Sequence, residues 1–224
     1  RSAQLHAECA RGALADAGLS LSDVDGYFCA RDAPGSNSSW MMDYLNLRLR
    51  HFDATDSGGC SYLVHLAHAA EAIATGKCSV ALITLAGRPR SQGMATGTAP
   101  RLADPDRPDS PWENGFNSTI ITTYAMMAQR HMHEYGTTPE QLAWVKVAAS
   151  LHAQHNPDAL LRKPVTVDEV LASGVVADPL HKMDCCVITD GGGALVVTSA
   201  AVARRLKRPL VRLRGSGQTI HTNQ

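Results

Sequence analysis

A short glycine-containing turn, Asp56-Ser-Gly-Gly-Cys-Ser-Tyr62, separates a strand-like segment from an alanine-rich segment, and it constrains the fold more than any other feature. Residues 49–55 precede it with the pattern of a strand that enters a turn, and residues 61–75 follow with apolar side chains at helical spacing. Residues 79–86 then form an apolar run of the length of a buried strand. The order strand, helix, strand predicts an α/β fold with helices on the faces of a sheet.

The rest of the chain extends this α/β pattern. Apolar spacing and capping residues predict helices, and short β-branched runs predict strands. A Thr N-cap followed by proline, as at Thr138-Pro-Glu-Gln, is typical of a helix start. The predicted helices run from the chain start to Gly18 and over 40–47, 61–75, 119–135, 138–152, 166–171 and 199–206. The further predicted strands cover 24–30 and 209–214. Residues 185–189 and 194–198 are predicted to pair as a hairpin.

Residues 87–118 interrupt the pattern with five prolines, four glycines and several charges. A long insertion of this composition in an α/β domain is more often a functional loop than an excursion without a role. We therefore expect residues 87–118 to form a loop insertion that borders the substrate or a dimer surface.

Composition excludes several classes of function. The chain has 21 basic and 21 acidic residues, so it carries no net charge that would attract nucleic acid or an anionic membrane. No apolar run approaches the roughly 20 residues that span a bilayer, and no signal sequence opens the chain. We expect a cytoplasmic protein without nucleic-acid or membrane partners.

Cysteine and histidine spacing does not indicate a metal site. The six cysteines include no CxxC pair, which favours reduced thiols over disulfides or a zinc site. Ten histidines are present without an HExxH motif, and pairs such as His65 and His68 lack further ligands at metal-site spacing. We expect no bound metal and no bound cofactor.

Cys60 is the candidate catalytic residue, because its place before the helical segment puts it near a helix N-terminus. Unpaired backbone N–H groups and the helix dipole favour a thiolate there and stabilise developing oxyanion charge. Gly58, Gly59 and Ser61 are the candidate residues of this oxyanion turn. The alternative is that Cys60 packs as a small buried hydrophobe.

Three ordered segments resemble the thiolase superfamily, in particular its sterol-carrier-protein-type branch, and the resemblance spans nearly the whole chain. The implied fold is the N-terminal half of a thiolase, with a mixed five-stranded sheet and helices on both faces. The segments are Asp56-Ser-Gly-Gly-Cys-Ser-Tyr with its helix up to Gly76, His131-Met-His-Glu-Tyr-Gly-Thr-Thr-Pro-Glu140, and Asp178-Pro-Leu-His-Lys-Met-Asp-Cys-Cys-Val-Ile-Thr-Asp-Gly-Gly-Gly-Ala194.

The resemblance also indicates which parts of a thiolase are absent. A thiolase duplicates this half, and its catalytic histidine motifs and second cysteine belong to the C-terminal half. Residues 1–224 contain none of those motifs, nor the glycine-rich first strand that precedes the opening helix in the family. We therefore expect a thiolase-like N-terminal domain that is a portion of a larger enzyme and is inactive alone.

The nucleophile register leaves two interpretations of Cys60. Cys60 lies one residue closer to Gly76 than the family nucleophile lies to the corresponding glycine, so Gly59 takes the family position. One residue on an α-helix is a rotation of about 100°. Either a local deletion leaves Cys60 in use, or the nucleophile is lost, as in the steroid side-chain aldolases of this branch.

The resemblance implies three functions, each with a coenzyme A thioester as substrate. An acyltransferase would use Cys60 to form an acyl-enzyme and to make or break a C–C bond, as in lipid or steroid side-chain degradation. A retro-aldolase would cleave a β-hydroxyacyl-CoA without a cysteine nucleophile. A non-catalytic subunit would only bind acyl-CoA. The near-family position of Cys60 favours the acyltransferase slightly.

Further residues and partners follow from the same resemblance. Tyr62, Tyr124 and His131 are candidates for the substrate region, although each also suits a structural role. A homodimer is expected, with residues 51–55 pairing across a two-fold axis. A partner protein built of an OB fold with a zinc ribbon is the second expected partner.

Overall fold

The computed structural model describes residues 1–30, 38–94 and 119–219. The chain divides into two compact units, Arg1–Ser91 with Thr189–Asn223 and Gln92–Ile188 with Gln224. In the described ranges the helices are α1 (Ser2–Ala17), α2 (Trp40–Tyr44), α3 (Ser61–Ala74), α4 (Ile120–Tyr135), α5 (Pro139–Ala153), α6 (Val167–Leu171) and α7 (Ala200–Ala203), and the strands are β1 (Gly26–Phe28), β2 (His51–Asp53), β3 (Val80–Gly87), β4 (Val175–Ala177), β5 (Leu180–His181) and β6 (Gly191–Thr198).

The first unit is built on a mixed sheet in the order β2-β1-β3-β6. The first three strands are parallel and β6 runs antiparallel to β3. Alternate side chains point to opposite faces of a strand. Accordingly, Tyr27 and Leu82 pack with the apolar side chains of α1, while Phe28 and Ile83 pack with those of α3. The predicted α/β fold with helices on both faces of a mixed sheet is confirmed.

The strand count differs from the prediction. The described sheet has four strands where the resemblance implied five. Residues 209–214, predicted as a strand, are not paired, and Val211 is 97% exposed. The predicted hairpin is also wrong, since residues 185–189 form no strand and β6 pairs with β3 instead. Ala194 lies opposite Thr84 in that pairing. A partner 110 residues away thus replaces the local one, and no sequence pattern specifies such a partner.

Helix α3 lies against the sheet with a buried face that includes polar residues. Most of the helix is buried or half-buried, as expected from its alanine-rich sequence. Leu63, one of the apolar residues at helical spacing in the predicted 61–75 helix, is nevertheless 72% exposed. The buried residues include Ser61 and His65, both fully buried.

The second unit contains α4, α5, α6 and the small antiparallel sheet of β4 and β5. Ala143 and Val147 of α5 pack against Val170 of α6. Thr119 and Thr138 cap α4 and α5 through their side chains, so both predicted helix starts are confirmed. The loop insertion 87–118 stays a prediction, since residues 95–118 lie outside the described ranges. None of the helices in those ranges is long and apolar enough to cross a membrane.

Candidate active site

The candidate site is the turn of residues 56–60, which joins the carboxyl end of β2 to the start of α3. Because β1, β2 and β3 are parallel, their carboxyl ends lie at the same edge of the sheet. Ligands of open α/β sheets bind preferentially at that edge. The topology therefore places the turn where a substrate would be expected.

Cys60 is the N-cap residue of α3 and is exposed, as the sequence predicted for its position. Its Sγ donates a hydrogen bond to the main-chain oxygen of Ser57 at 3.2 Å, and the Ser57 Oγ lies 3.7 Å away. The thiol therefore interacts with its own turn. In the described ranges no histidine, aspartate or glutamate hydrogen-bonds to it.

Ser61 holds the turn together from inside. Its fully buried Oγ accepts the N–H of Ser57 at 2.9 Å and donates to the oxygen of Gly58 at 2.6 Å. The N–H of Gly58 also donates to Oδ1 of Asp56 at 3.0 Å. These bonds close the turn immediately before the first turn of α3.

Only one of the two glycines has a conformation that requires glycine. Gly58 has a φ of +78°, which side chains rarely adopt. Gly59 has no positive φ, and a Cβ built on it meets no atom within 4 Å. A side chain at position 59 is therefore sterically allowed.

The start of α3 provides the electrostatics of the candidate site. The first N–H groups of a helix have no intrahelical acceptor, and the helix dipole places partial positive charge there. Such groups stabilise an oxyanion or an enolate that forms next to them. In this turn the N–H of Ser61 donates to the oxygen of Gly58 and the N–H of Leu63 to the oxygen of Cys60, so the helix end contributes mainly its partial positive charge.

Two histidines of α3 connect the helix to the end of β2. Nε2 of His65 lies 2.8 Å from the oxygen of Thr55, and Nδ1 of His68 lies 2.6 Å from Oδ2 of Asp53. Oδ1 of Asp53 accepts the N–H and the hydroxyl of Thr55, each at 2.7 Å. Sequence reasoning rejected this histidine pair as metal ligands and assigned both residues to packing or to the surface. Their spacing of three residues on one helix face was the available signal.

The Asp53 carboxyl group has a lowered pKa. Burial of Asp53 raises the pKa, but hydrogen bonds from Thr55 and the hydrogen bond and charge of His68 outweigh it. The carboxylate is thus ionised over the neutral pH range and accepts bonds on both oxygens.

The three substrate-region candidates do not all belong to one unit. Tyr62, in the first turn of α3, is half-buried and its ring meets the ring of His65 edge-on at 5.8 Å. In the second unit, Tyr124 on α4 is 62% exposed. His131 contacts Tyr135 at 4.7 Å between ring centroids, and its Nδ1 lies 2.8 Å from the hydroxyl of Thr137. These contacts of His131 are local to the end of α4.

No family model matches the chain. It is 37% identical over 215 residues to a 17-hydroxy-3-oxo-4-pregnene-20-carboxyl-CoA lyase of Mycobacterium tuberculosis, covering 93% of this chain and 55% of the relative. It is 33% identical over 221 residues to an acetyl-CoA acetyltransferase of Methanothermobacter thermautotrophicus, covering 96% of this chain and 56% of the relative. The solved Ltp2-ChsH2(DUF35) aldolase superposes with a TM-score of 0.81 at 34% identity, covering 93% of this chain and 53% of that one.

The chain belongs to the thiolase superfamily. Within it, the chain lies in the branch of sterol-carrier-protein-type thiolases and steroid side-chain aldolases. This thiolase-superfamily chain spans about half the length of the curated relatives named above. The resemblance of the three sequence segments is thereby confirmed.

Proposed function

We propose that the whole protein is a thiolase-type aldolase that cleaves a C–C bond of a β-hydroxyacyl-CoA thioester. The observation that carries this proposal is the similarity to a CoA lyase at 37% identity and to an aldolase structure at a TM-score of 0.81. The hydrogen bond from Cys60 Sγ to the oxygen of Ser57 is compatible with it, since retro-aldol cleavage requires no thiolate.

The reaction needs a base and an anion-stabilising group. The base removes the proton of the β-hydroxyl group, whose oxygen becomes a carbonyl as the bond between the α and β carbons breaks. The electron pair passes to the thioester as an enolate, which the partial positive charge at the start of α3 would stabilise. Protonation of the α carbon then releases a shortened acyl-CoA. Tyr62, Tyr124 and His131 stay candidates for the substrate region, and none of them is assigned as the base.

Acyl transfer through Cys60 is the second candidate, and two observations favour it. Cys60 is exposed at the N-terminus of a 14-residue helix, and one relative is an acetyl-CoA acetyltransferase. The thiolate would attack the thioester carbonyl, and the thiolate of coenzyme A would leave to give an acyl-enzyme. Sequence reasoning favoured this function slightly, but the lyase and aldolase relatives support the aldolase more.

The partners form part of the same proposal. The aldolase structure named above contains ChsH2(DUF35) beside Ltp2, which supports a second protein, expected from the resemblance to be an OB-fold zinc-ribbon protein. A homodimer remains a proposal. A cytoplasmic location also remains a proposal. It is supported by the six cysteines, which are thiols and not disulfides, as suits a reducing compartment.

The test uses the full-length protein with its partner protein and two substrates. An aldolase converts a β-hydroxyacyl-CoA into a carbonyl product and a shorter acyl-CoA, and it consumes no free coenzyme A. A thiolase acts on a β-ketoacyl-CoA and consumes one coenzyme A per cleavage. Chromatography of the CoA species distinguishes them. Cleavage of only the β-keto substrate, with consumption of coenzyme A, would overturn the aldolase in favour of acyl transfer.

A further inference from the structure

We infer that His65 and His68 are positioning residues that hold the 56–60 turn in its reactive geometry through Thr55 and Asp53. This inference rests on the proposed function, since it concerns the same turn. Neither histidine would touch the substrate. Each would act through the residue it binds at the end of β2.

Thr55 is the last residue before the turn, and each of its polar groups is hydrogen-bonded. Its N–H and hydroxyl both donate to Oδ1 of Asp53, and its oxygen accepts from His65. A residue held on all three polar groups cannot rotate its peptide planes without breaking a bond. The chain therefore enters the turn in one orientation.

The partner of His65 determines its tautomer. A carbonyl oxygen only accepts, so Nε2 of His65 carries the hydrogen. Nδ1 of a neutral ring is then a bare acceptor, and in the described ranges this buried atom has no hydrogen-bond partner. A buried acceptor without a partner is unfavourable.

An apolar side chain would avoid that unfavourable atom. The ring of His65 is fully buried and contacts the rings of Phe28 and Tyr62, which a leucine could also contact. What an apolar residue cannot supply is the N–H that binds Thr55. The histidine at position 65 is therefore explained by this bond and not by packing alone.

His68 adds a second connection on the same helix face. Residues three apart on a helix are neighbours, so His65 and His68 lie one above the other. His68 donates from Nδ1 to Oδ2 of Asp53, the carboxylate oxygen that Thr55 does not use. Helix α3 is thus bound at two points beside the turn, to Asp53 at the end of β2 and to Thr55 two residues later. Since a misplacement of about 1 Å can cost roughly 100-fold in rate, such ties matter for catalysis.

Matched pairs of variants separate positioning from folding. His65→Gln keeps a donor at the ε position and His68→Asn keeps one at the δ position, whereas His65→Leu and His68→Leu remove them. Thr75→Val is the control, because it removes a hydroxyl that binds the oxygen of Glu71 at the far end of α3. All variants are made in the full-length protein. His68 is half-buried, so its variants are expected to fold even if His65→Leu does not.

The first readout is steady-state cleavage of the β-hydroxyacyl-CoA. We expect both leucine variants to lower kcat by at least about tenfold with KM changed by less than about threefold. The Gln, Asn and Thr75→Val variants are expected to stay within about threefold of the unsubstituted protein. If the histidines had a purely structural role, the donor-keeping variants would not selectively restore kcat.

The second readout does not depend on activity. Iodoacetamide alkylation of Cys60 is followed by peptide mass spectrometry, with exposed Cys186 as the internal reference. Both leucine variants should change the ratio of the two rates by more than about threefold, and the donor-keeping variants should not. If the full-length protein shows no cleavage but the ratio changes in this way, the proposed function fails and the positioning role stands. An unchanged ratio in His68→Leu, or equal changes in His68→Leu and His68→Asn, overturns the inference.

Discussion

The thiol of Cys60 donates a hydrogen bond to the main-chain oxygen of Ser57, 3.2 Å away and three residues earlier in the same turn. The sulfur thus lies at the start of α3, where a thiolate would be stabilised, while its hydrogen is directed back into the turn. The two enzymatic functions differ at this contact, because acyl transfer needs that hydrogen removed, by a base from the rest of the protein, and retro-aldol cleavage does not.

Cys60→Ala tests this distinction directly. If the protein is an aldolase, turnover should stay within about threefold and the free energy of unfolding should fall by about 1 kcal/mol, the effect of one weak contact. If Cys60 forms an acyl-enzyme, kcat should fall by several powers of ten and no acylated protein should be detected by mass spectrometry. Cys186→Ala, at another exposed cysteine, is the control.

Ser61→Ala is expected to destabilise the first unit by about 1–2 kcal/mol, since it leaves the N–H of half-buried Ser57 without its acceptor. Urea denaturation measures the loss. The exposed Ser22→Ala is the matched control and should stay within about 0.5 kcal/mol of the unsubstituted protein. Equal stability of the two variants would mean that the hydroxyl of Ser61 does not hold the turn.

Gly58→Ala and Gly59→Ala should differ although the residues are adjacent. The positive φ of Gly58 makes an alanine there unfavourable by about 1–2 kcal/mol. Alanine at position 59 meets no atom and should change the free energy of unfolding by less than about 0.5 kcal/mol. Thermal or urea unfolding compares the pair. A larger loss for Gly59→Ala would contradict the turn geometry.

Asp53 should contribute a pH-dependent part of the stability. Its pKa is lower in the folded than in the unfolded chain, so its contribution is complete above the ordinary carboxyl pKa of about 3.9 and is lost as the pH falls through the folded value. The difference in unfolding free energy between the unsubstituted protein and Asp53→Asn should therefore be smaller at about pH 3 than at about pH 5. Denaturant titrations over that range measure it. A difference that stays constant down to about pH 3 would contradict the assigned shift.

The homodimer is a prediction that the described sheet allows. Strand β2 has β1 on one side and forms an edge of the sheet in the described ranges. An open edge pairs readily with another strand. Light scattering of the full-length protein at micromolar concentration should give a dimer mass, and Ala54→Lys, a charge at the exposed residue after β2, should shift it towards the monomer. A monomer mass for the unsubstituted protein would exclude the homodimer.

Local patterns in the sequence were sufficient to predict most of the helices and strands. The predicted helix 119–135 corresponds to α4 and the predicted start at Thr138 to the capped start of α5. Cys60 was placed next to the start of its helix, and α3 was found within the predicted 61–75. Helical spacing, capping residues and turn glycines act between residues a few positions apart, so a single sequence contains them.

Only the tertiary structure decided which distant residues meet. It paired β6 with β3 instead of the predicted hairpin, and it turned α3 so that Leu63 is exposed and Ser61 and His65 are buried. It also joined His68 to Asp53, 15 residues away, in a network that histidine spacing alone did not indicate. By itself the sequence determined most of the elements and the family. Strand pairing and helix rotation depend on the summed burial of many side chains from separate segments, and that sum exists only when the segments pack together.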